Sequence, residues 1–380
     1  MAETTEKMAR LRKLLTTRKV DGVVLSTQRN LQWITAGGRG SDVRTQRESA
    51  VKLLITLDRL YCIGDNVYGP RIMDEELAGL GYEWVRYPWT ATEKDALQPL
   101  LRDKRILWDS PAVAQEYGAP SSNVVNLSDL HFPLTPGEIK KVRWLGHKVS
   151  ETVEKVGALV QPGMLDRDVQ YLLERELAYW DIVPVVTLAS GDDRTRTYPR
   201  PQAVGNTVKR YVGMDVYASR WGLGVEMSRR IHFGEPVPEL AKAWKDAPKI
   251  NAAIVAASRA GTTLGDVLEV AEKAYRQAGY ADEWQLRSQG GLLFSPDGQG
   301  VALPKDKNRI QAGMVLAWHP MAGGARFEDT YLVKPDGTLE NLTAPISWPA
   351  VSVKVGKESV SMAGLWIRPE PAPMAEPSDN

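Results

Sequence analysis

A chain of 380 residues exceeds what one hydrophobic core usually organises, so two domains, or one domain with a large appendage, are expected. Apolar residues at 43% and charged residues at 25% exclude a wholly disordered, collagen-like or coiled-coil protein. Lys and Arg total 48 against 47 Asp and Glu, a net charge of +1, so no global field recruits nucleic acid or an anionic membrane, and a small molecule is the expected partner.

In chain order, residues 6–19 read as a basic helix, followed by the strand DGVVLS, a turn at Thr27 to Asn30, and a second apolar segment ending in the AGGRG glycines. The first twenty residues carry charge throughout, and no later stretch approaches 18 apolar residues, which predicts a cytoplasmic protein. Strands VKLLITL, RLYCIG and RILWD alternate with helical GPRIMDEELAGLG and DALQPLLRD, predicting a small mixed α/β domain over residues 1–132. Cys62 is the single cysteine and is expected to be buried in its strand, so neither an internal disulfide nor a thiolate metal cluster can form.

A second domain is expected over 133–345. Thr135 as N-cap, Pro136 as first helical residue and Glu138 as third form a capping box that opens a long helix, on which Ile139, Val142, Leu145, Val149, Val153 and Val156 recur at helical spacing. The segment Gly163-Met-Leu-Asp-Arg-Asp168-Val169 reappears as Gly261-Thr-Thr-Leu-Gly-Asp266-Val267, offset by 98 residues. Each copy follows a helix (138–159 and 239–258) and precedes β-rich sequence (183–234 and 285–341). A duplicated ααβ unit predicts a pseudo-two-fold sheet with helices on one face, and α+β as the fold class. Residues 346–380 form an extension, expected to be disordered from about 369, where proline and acidic residues accumulate.

A site on the pseudo-dyad would draw on equivalent strands of both halves. Asp215 and Glu226 lie in the apolar sequence RYVGMDVYASRWGLGVEMSRRIHFG, and His319 and Glu328 in GMVLAWHPMAGGARFEDTYLV. The same offset carries the first pair to within six residues of the second. Converging buried carboxylates repel one another unless a cation or protons intervene, so these four side chains are candidate ligands of a divalent cation.

TPGEI with its long helix, the QPGM turn, GMDV, AGMVLAWHP and RFEDTYLVKPDG occur in the order found in the pita-bread proteins: creatinase, aminopeptidase P, prolidase and methionine aminopeptidase. The amino-terminal segment DGVVLSTQRNLQWITAG is similar to theirs as well, so the resemblance covers about residues 8–345. It implies a creatinase-like amino-terminal domain, a pita-bread catalytic domain and a homodimer in which the amino-terminal domain reaches the partner's site.

The family's dinuclear metal site uses two aspartates eleven apart, a histidine in a glycine-rich segment, a glutamate before proline and a final glutamate. Here Asp215 matches the first aspartate, Glu226 replaces the second, Gln289 or Gly290 stands at the histidine, His319 replaces the first glutamate, and Glu328 matches the last. Imidazole in place of a bridging carboxylate removes a charge and a bridging atom, which argues against two metals. Two arrangements stay open. Asp215, Glu226, His319 and Glu328 hold one Zn²⁺, Mn²⁺ or Fe²⁺, or the centre is metal-free, its carboxylates paired with His319 or an arginine, as the resemblance to creatinase allows.

Tyr198 stands seventeen residues before Asp215, where the resemblance places a histidine, and SPDG around Pro296 replaces a histidine-glutamate segment of the peptidases. Tyr198 is thus a candidate hydrogen-bond donor to an oxyanion, and His319 and Glu328 are candidate acid/base groups. Arg196 in DDRTRTYPR and Arg39 and Arg44 in GGRGSDVRTQR are candidate carboxylate-binding residues, with Trp318, Trp33 and Trp221 as candidate apolar lining. His131, His147 and His232 are assigned to structure or solvent. The expected function is hydrolysis of a C–N or related bond in a small carboxylate-bearing non-peptide substrate. An Xaa-Pro-type metallopeptidase, a lyase and a catalytically silent binding protein are the alternatives.

Overall fold

A computed structural model describes residues 2–43, 46–295 and 298–370. The chain forms two compact units, one comprising the residues to Lys141 with Trp221–Leu223, the other Val142–Arg220 with Gly224 onward. The division therefore falls inside a helix, nine residues past the break expected at 132.

The first unit contains, in order, α1 Ala2–Arg18, β1 Gly22–Thr27, α2 Gln28–Ile34, β2 Glu48–Thr56, β3 Leu60–Asp65, α3 Gly69–Arg71 continuing as a wider turn over Ile72–Glu76, β4 Glu83–Tyr87, α4 Glu93–Leu101, β5 Ile106–Trp108 and α5 Pro111–Glu116. The strands form one sheet in the order β4-β3-β2-β1-β5. The turn expected at Thr27 to Asn30 is instead a helix start. The Thr27 hydroxyl accepts from the Asn30 amide, and Leu31, Trp33 and Ile34 bury the helix's apolar side. Asp109 locks this junction by accepting from the Ser26 and Thr27 amides and hydroxyls and from the Asn30 side chain. Cys62 is fully buried, as its strand context predicts.

The second unit begins within α6 Pro136–Leu159 and continues through α7 Asp166–Tyr179, β6 Val183–Gly191, α8 Asp192–Thr197, β7 Tyr211–Arg220 and β8 Leu223–Phe233. It then runs through α9 Pro238–Ala257, α10 Leu264–Ala278, β9 Gly290–Ser295, β10 Gly298–Val301, β11 Val315–Trp318, β12 Met321–Ala322, β13 Ala325–Arg326, β14 Asp329–Val333 and β15 Leu339–Asn341. The capping box forms as expected, the Thr135 amide donating to the Glu138 carboxylate and the Glu138 amide to the Thr135 hydroxyl.

The duplication is visible in the backbone. Gly163 and Gly261 both take positive φ, +93° and +94°, and donate to the carbonyls of Val208 and Ile310 at 2.9 and 2.8 Å. Isolated bridges follow at Leu165 with Thr207 and at Thr263 with Arg309. Each half supplies its own sheet, with neighbouring strands β8-β7-β6 from the first and β10-β9-β11-β14-β15 from the second. They join where the Ser228 amide donates to the Glu328 carbonyl at 2.9 Å, and the Thr330 hydroxyl accepts from the Glu226 amide while donating to the Glu226 carbonyl.

The extension is ordered further than its sequence suggests: β16 Ala350–Val355 and β17 Glu358–Ala363 form a hairpin, and β18 Trp366–Arg368 pairs parallel to β8. The tail expected to be disordered from about 369 lies almost wholly outside the described residues, as do Arg44 and Pro296. Among the described residues no helix is long and apolar enough to cross a membrane.

Candidate functional site

Asp215 on β7 and Glu226 on β8 sit on neighbouring strands, linked by a two-residue turn in which Trp221 and Gly222 both take positive φ. The seam between the two sheets adds Glu328, which immediately precedes β14, and the short β12–β13 hairpin carries Arg326. His319 follows β11, its amide donating to the Gln289 carbonyl at 3.1 Å. All five side chains are buried.

Guanidinium groups occupy the space between the carboxylates. Arg230 on β8 donates to both oxygens of Asp215, at 2.8 and 3.2 Å, and Arg326 donates to Asp215 Oδ2 at 3.0 Å. Arg326 also reaches Glu328 Oε2 through Nε at 3.0 Å and through Nη2, and donates to the Pro199 carbonyl at 2.6 Å. Gly213 makes this packing possible, because a Cβ there would lie 3.0 Å from the Arg230 Cζ atom and 2.8 Å from the Thr195 methyl.

The two glutamates are driven apart in proton affinity. Burial and the neighbouring Glu328 charge push Glu226 up to about 8. Burial also opposes the charge on Glu328, but Arg326 and Arg287 outweigh it and hold that carboxyl below its ordinary range. Burial, then Arg287 and Arg326, drive His319 well below the ordinary histidine value, so its ring is neutral. Its Nδ1 accepts from Arg287 at 2.9 Å, and the Ser288 carbonyl accepts from the ring's N–H. No ring lone pair is left for a metal or a substrate proton.

The expected four-ligand metal centre is therefore corrected. The side chains of Asp215, Glu226, His319 and Glu328 are brought into one buried cluster, but among the described residues no group of three or more His, Cys, Asp or Glu side chains is arranged to hold a metal ion. Both Asp215 oxygens and one Glu328 oxygen are taken by guanidiniums, and His319 is spent on Arg287 and Ser288, so this donor set does not fit a divalent cation. The carboxylates are instead paired with arginines.

The remaining candidates disperse. Tyr198 is 50% exposed, with the Arg194 guanidinium 5.2 Å from its ring centroid, and does not join the buried cluster, although its neighbour Pro199 touches Arg326. Trp318 is fully buried in β11 between Gly290 and Asp329, packing the core instead of lining a pocket. Trp33 stacks on His131 with centroids 4.9 Å apart. Arg39 is an exposed residue of the first unit. Arg196 does reach a cavity, of about 660 Å³, lined also by Lys242, Tyr280, Glu283, Leu286 and Gly324.

At the lost histidine position, the Gln289 side chain accepts from the Tyr275 hydroxyl and donates to the Trp284 and Arg287 carbonyls, which ties it to structure. Sequence reasoning passed over Arg230, Arg326 and Arg287. The available signal was adjacent arginines in the otherwise apolar strand GVEMSRRIHF, and an arginine two residues before Glu328. Charges in the middle of a buried strand require partners.

Comparison with known proteins places this geometry. Residues 140–335 match metallopeptidase family M24. The chain belongs to metallopeptidase family M24, a hydrolase family, and has the pita-bread fold expected from its sequence. A Staphylococcus haemolyticus protein described as an uncharacterized peptidase is 22% identical over 353 residues, covering 87% of this chain and 97% of its own. Among solved structures, the Xaa-Pro dipeptidase from Bacillus anthracis aligns with a TM-score of 0.75 at 18% identity, over 96% of this chain and 100% of its own. The dipeptidase PepE from Mycobacterium ulcerans aligns with a TM-score of 0.76 at 16% identity, over 97% and 98%.

Proposed function

We propose that this chain is a hydrolase that cleaves a C–N or related bond in a small, carboxylate-bearing, non-peptide substrate at a metal-free acid/base centre. The observation that carries this reading is the pairing of Asp215 and Glu328 with Arg230 and Arg326, in a chain whose family name implies metal ions. Fixed guanidiniums supply the positive charge that holds carboxylates together.

Two carboxyl groups whose surroundings separate their proton affinities divide the acid and base roles between them. Glu226, favoured in its neutral form, donates its proton to the departing nitrogen. Glu328, held ionised, takes a proton from the attacking water through the oxygen that Arg326 leaves free. Water thus adds its hydroxyl to the carbon as the C–N bond breaks, and proton exchange between the two glutamates restores the starting state.

Elemental analysis on protein purified without an affinity tag, with turnover of N-acyl and amidino carboxylates measured in the presence of a chelator, tests the reading. Well under one equivalent of metal, chelator-resistant turnover and its loss in Glu226→Gln are expected. Stoichiometric metal with chelator-sensitive cleavage of Xaa-Pro dipeptides would establish the metallopeptidase alternative, and an unsaturated product a lyase. Ligand binding without turnover, unchanged in Glu226→Gln, would establish a silent binding protein, a reading favoured by the burial of the whole cluster. A cytoplasmic homodimer, with Arg39 and Arg44 completing the partner's site, belongs to this proposal and is read by sedimentation of the wild type and by activity of mixed dimers.

A further inference from the structure

Arg230 and Arg326 are each matched by carboxylates, but Arg287 is not. Among the described residues its hydrogen-bond partner is the ring of His319 and no carboxylate forms an ion pair with it, Glu328 and Asp215 acting on it only through space. Its Nε and Nη1 atoms are buried with no hydrogen-bond partner. Burying a guanidinium without satisfying its donors is costly, and an anion bound beside Arg287 would satisfy both atoms.

The surroundings hold Arg287 in place. Gln289 donates to the Arg287 carbonyl at 3.2 Å and is itself fixed by the Tyr275 hydroxyl, while His319 pins one arm of the guanidinium. The 660 Å³ cavity is bounded by Glu283 and Leu286 of the segment that runs into Arg287, and by Gly323 and Gly324 of the hairpin that runs into Arg326. Arg196 and Lys242 line that cavity together with the acidic Asp193, Glu239 and Glu283, so the positive charge that would hold an anion comes from Arg287 itself.

We propose that Arg287, oriented by His319, is the anchor for the substrate's carboxylate, which enters from the cavity lined by Arg196 and Leu286. This assignment rests on the small-carboxylate reading above and gives that substrate's charged end a place. It also gives His319 a positioning role: its neutral imidazole accepts from one arm of the guanidinium and leaves the others for the ligand.

The test uses the full chain and minimal probes. Acetate is titrated at constant ionic strength against chloride, with acetamide as the neutral isostere and inorganic phosphate as the competing anion. Binding is followed by thermal shift and by calorimetry in the wild type, Arg287→Met, Arg287→Lys and Arg287→Ala. Acetate alone should raise the wild-type melting temperature. Its affinity should fall at least tenfold in Arg287→Met, and methylguanidine should restore it in Arg287→Ala, a rescue that a merely structural role would not produce. Circular dichroism on each variant checks that it is folded, and Arg287→Lys, which keeps the charge, serves if the methionine variant is not.

An acetate response that survives in folded Arg287→Met, no acetate response in the wild type, or a response to phosphate only would overturn the assignment. If acetate binding depends on Arg287 but no amide or amidine is turned over, the anion site stands and the hydrolase reading falls. If turnover is found without an Arg287-dependent acetate effect, the reverse holds.

Discussion

Glu226 and Arg326 carry the clearest consequences at the scale of single residues. A carboxyl raised from 4.5 to about 8 in the folded chain binds its proton more tightly there than in the unfolded chain. The stability it contributes is present in full below about 4.5 and is lost as pH rises toward about 8. Glu226→Gln should therefore lessen the fall in unfolding free energy between about pH 5 and 8, as read by urea titration across that range. Glu328 has the opposite sign: its stabilisation is present above its ordinary value and disappears as acid is added. Arg326 compensates Asp215 and Glu328 together and also satisfies the Pro199 carbonyl. Arg326→Met leaves two buried carboxylates short of charge and should cost about 3–5 kcal/mol in denaturant unfolding. A loss under about 1 kcal/mol would show that water compensates them.

The duplicated glycine turns and the β9 glycines separate two kinds of conformational demand at the scale of elements. Gly163 takes φ +93° with nothing within 4 Å of a would-be Cβ, so Gly163→Ala carries only the backbone penalty, about 1 kcal/mol. Gly290 takes φ +107°, and a Cβ there would lie 2.0 Å from the Ala317 carbonyl on β11. Gly290→Ala should cost about 3 kcal/mol or more and shift the Gln289–Arg287 segment, lowering the melting temperature far more than the change at 163. Thermal unfolding of the two variants side by side gives the comparison. The capping box at Thr135 is a milder case: Thr135→Ala removes the cap of α6 and should cost about 1 kcal/mol.

Charge compensation by side chains, as proposed for this centre, has a thermodynamic signature in the whole molecule. A protein that binds a metal in its folded state gains about 2.7 kcal/mol when the free ion is a hundredfold above its dissociation constant. Here neither a chelator nor added Mn²⁺ or Zn²⁺ should move the melting temperature, because guanidiniums already occupy the carboxylate oxygens. A rise of several degrees with either ion would mean that the arginines are displaced by metal.

The sequence by itself determined the architecture. The capping box at Thr135, the 98-residue repeat and the apolar strands around Asp215 and Glu328 are local patterns, and local patterns survive folding because they reflect hydrogen bonds and burial within single elements. It also named four members of the polar cluster, since spacing along paired strands fixes which side chains share a seam. What only the tertiary structure decided is what stands between those carboxylates. Arg230 on β8 reaches Asp215 on the neighbouring strand β7, while Arg326 spans Asp215 and Glu328 across 111 and 2 residues of sequence. Arg287 comes to His319 from 32 residues away. Long, flexible guanidinium side chains can serve any carboxylate within their reach, so no spacing rule assigns them a partner. The same reasoning explains why β18 was unforeseen: an edge strand is defined by the neighbour it pairs with, here β8, more than by its own three residues.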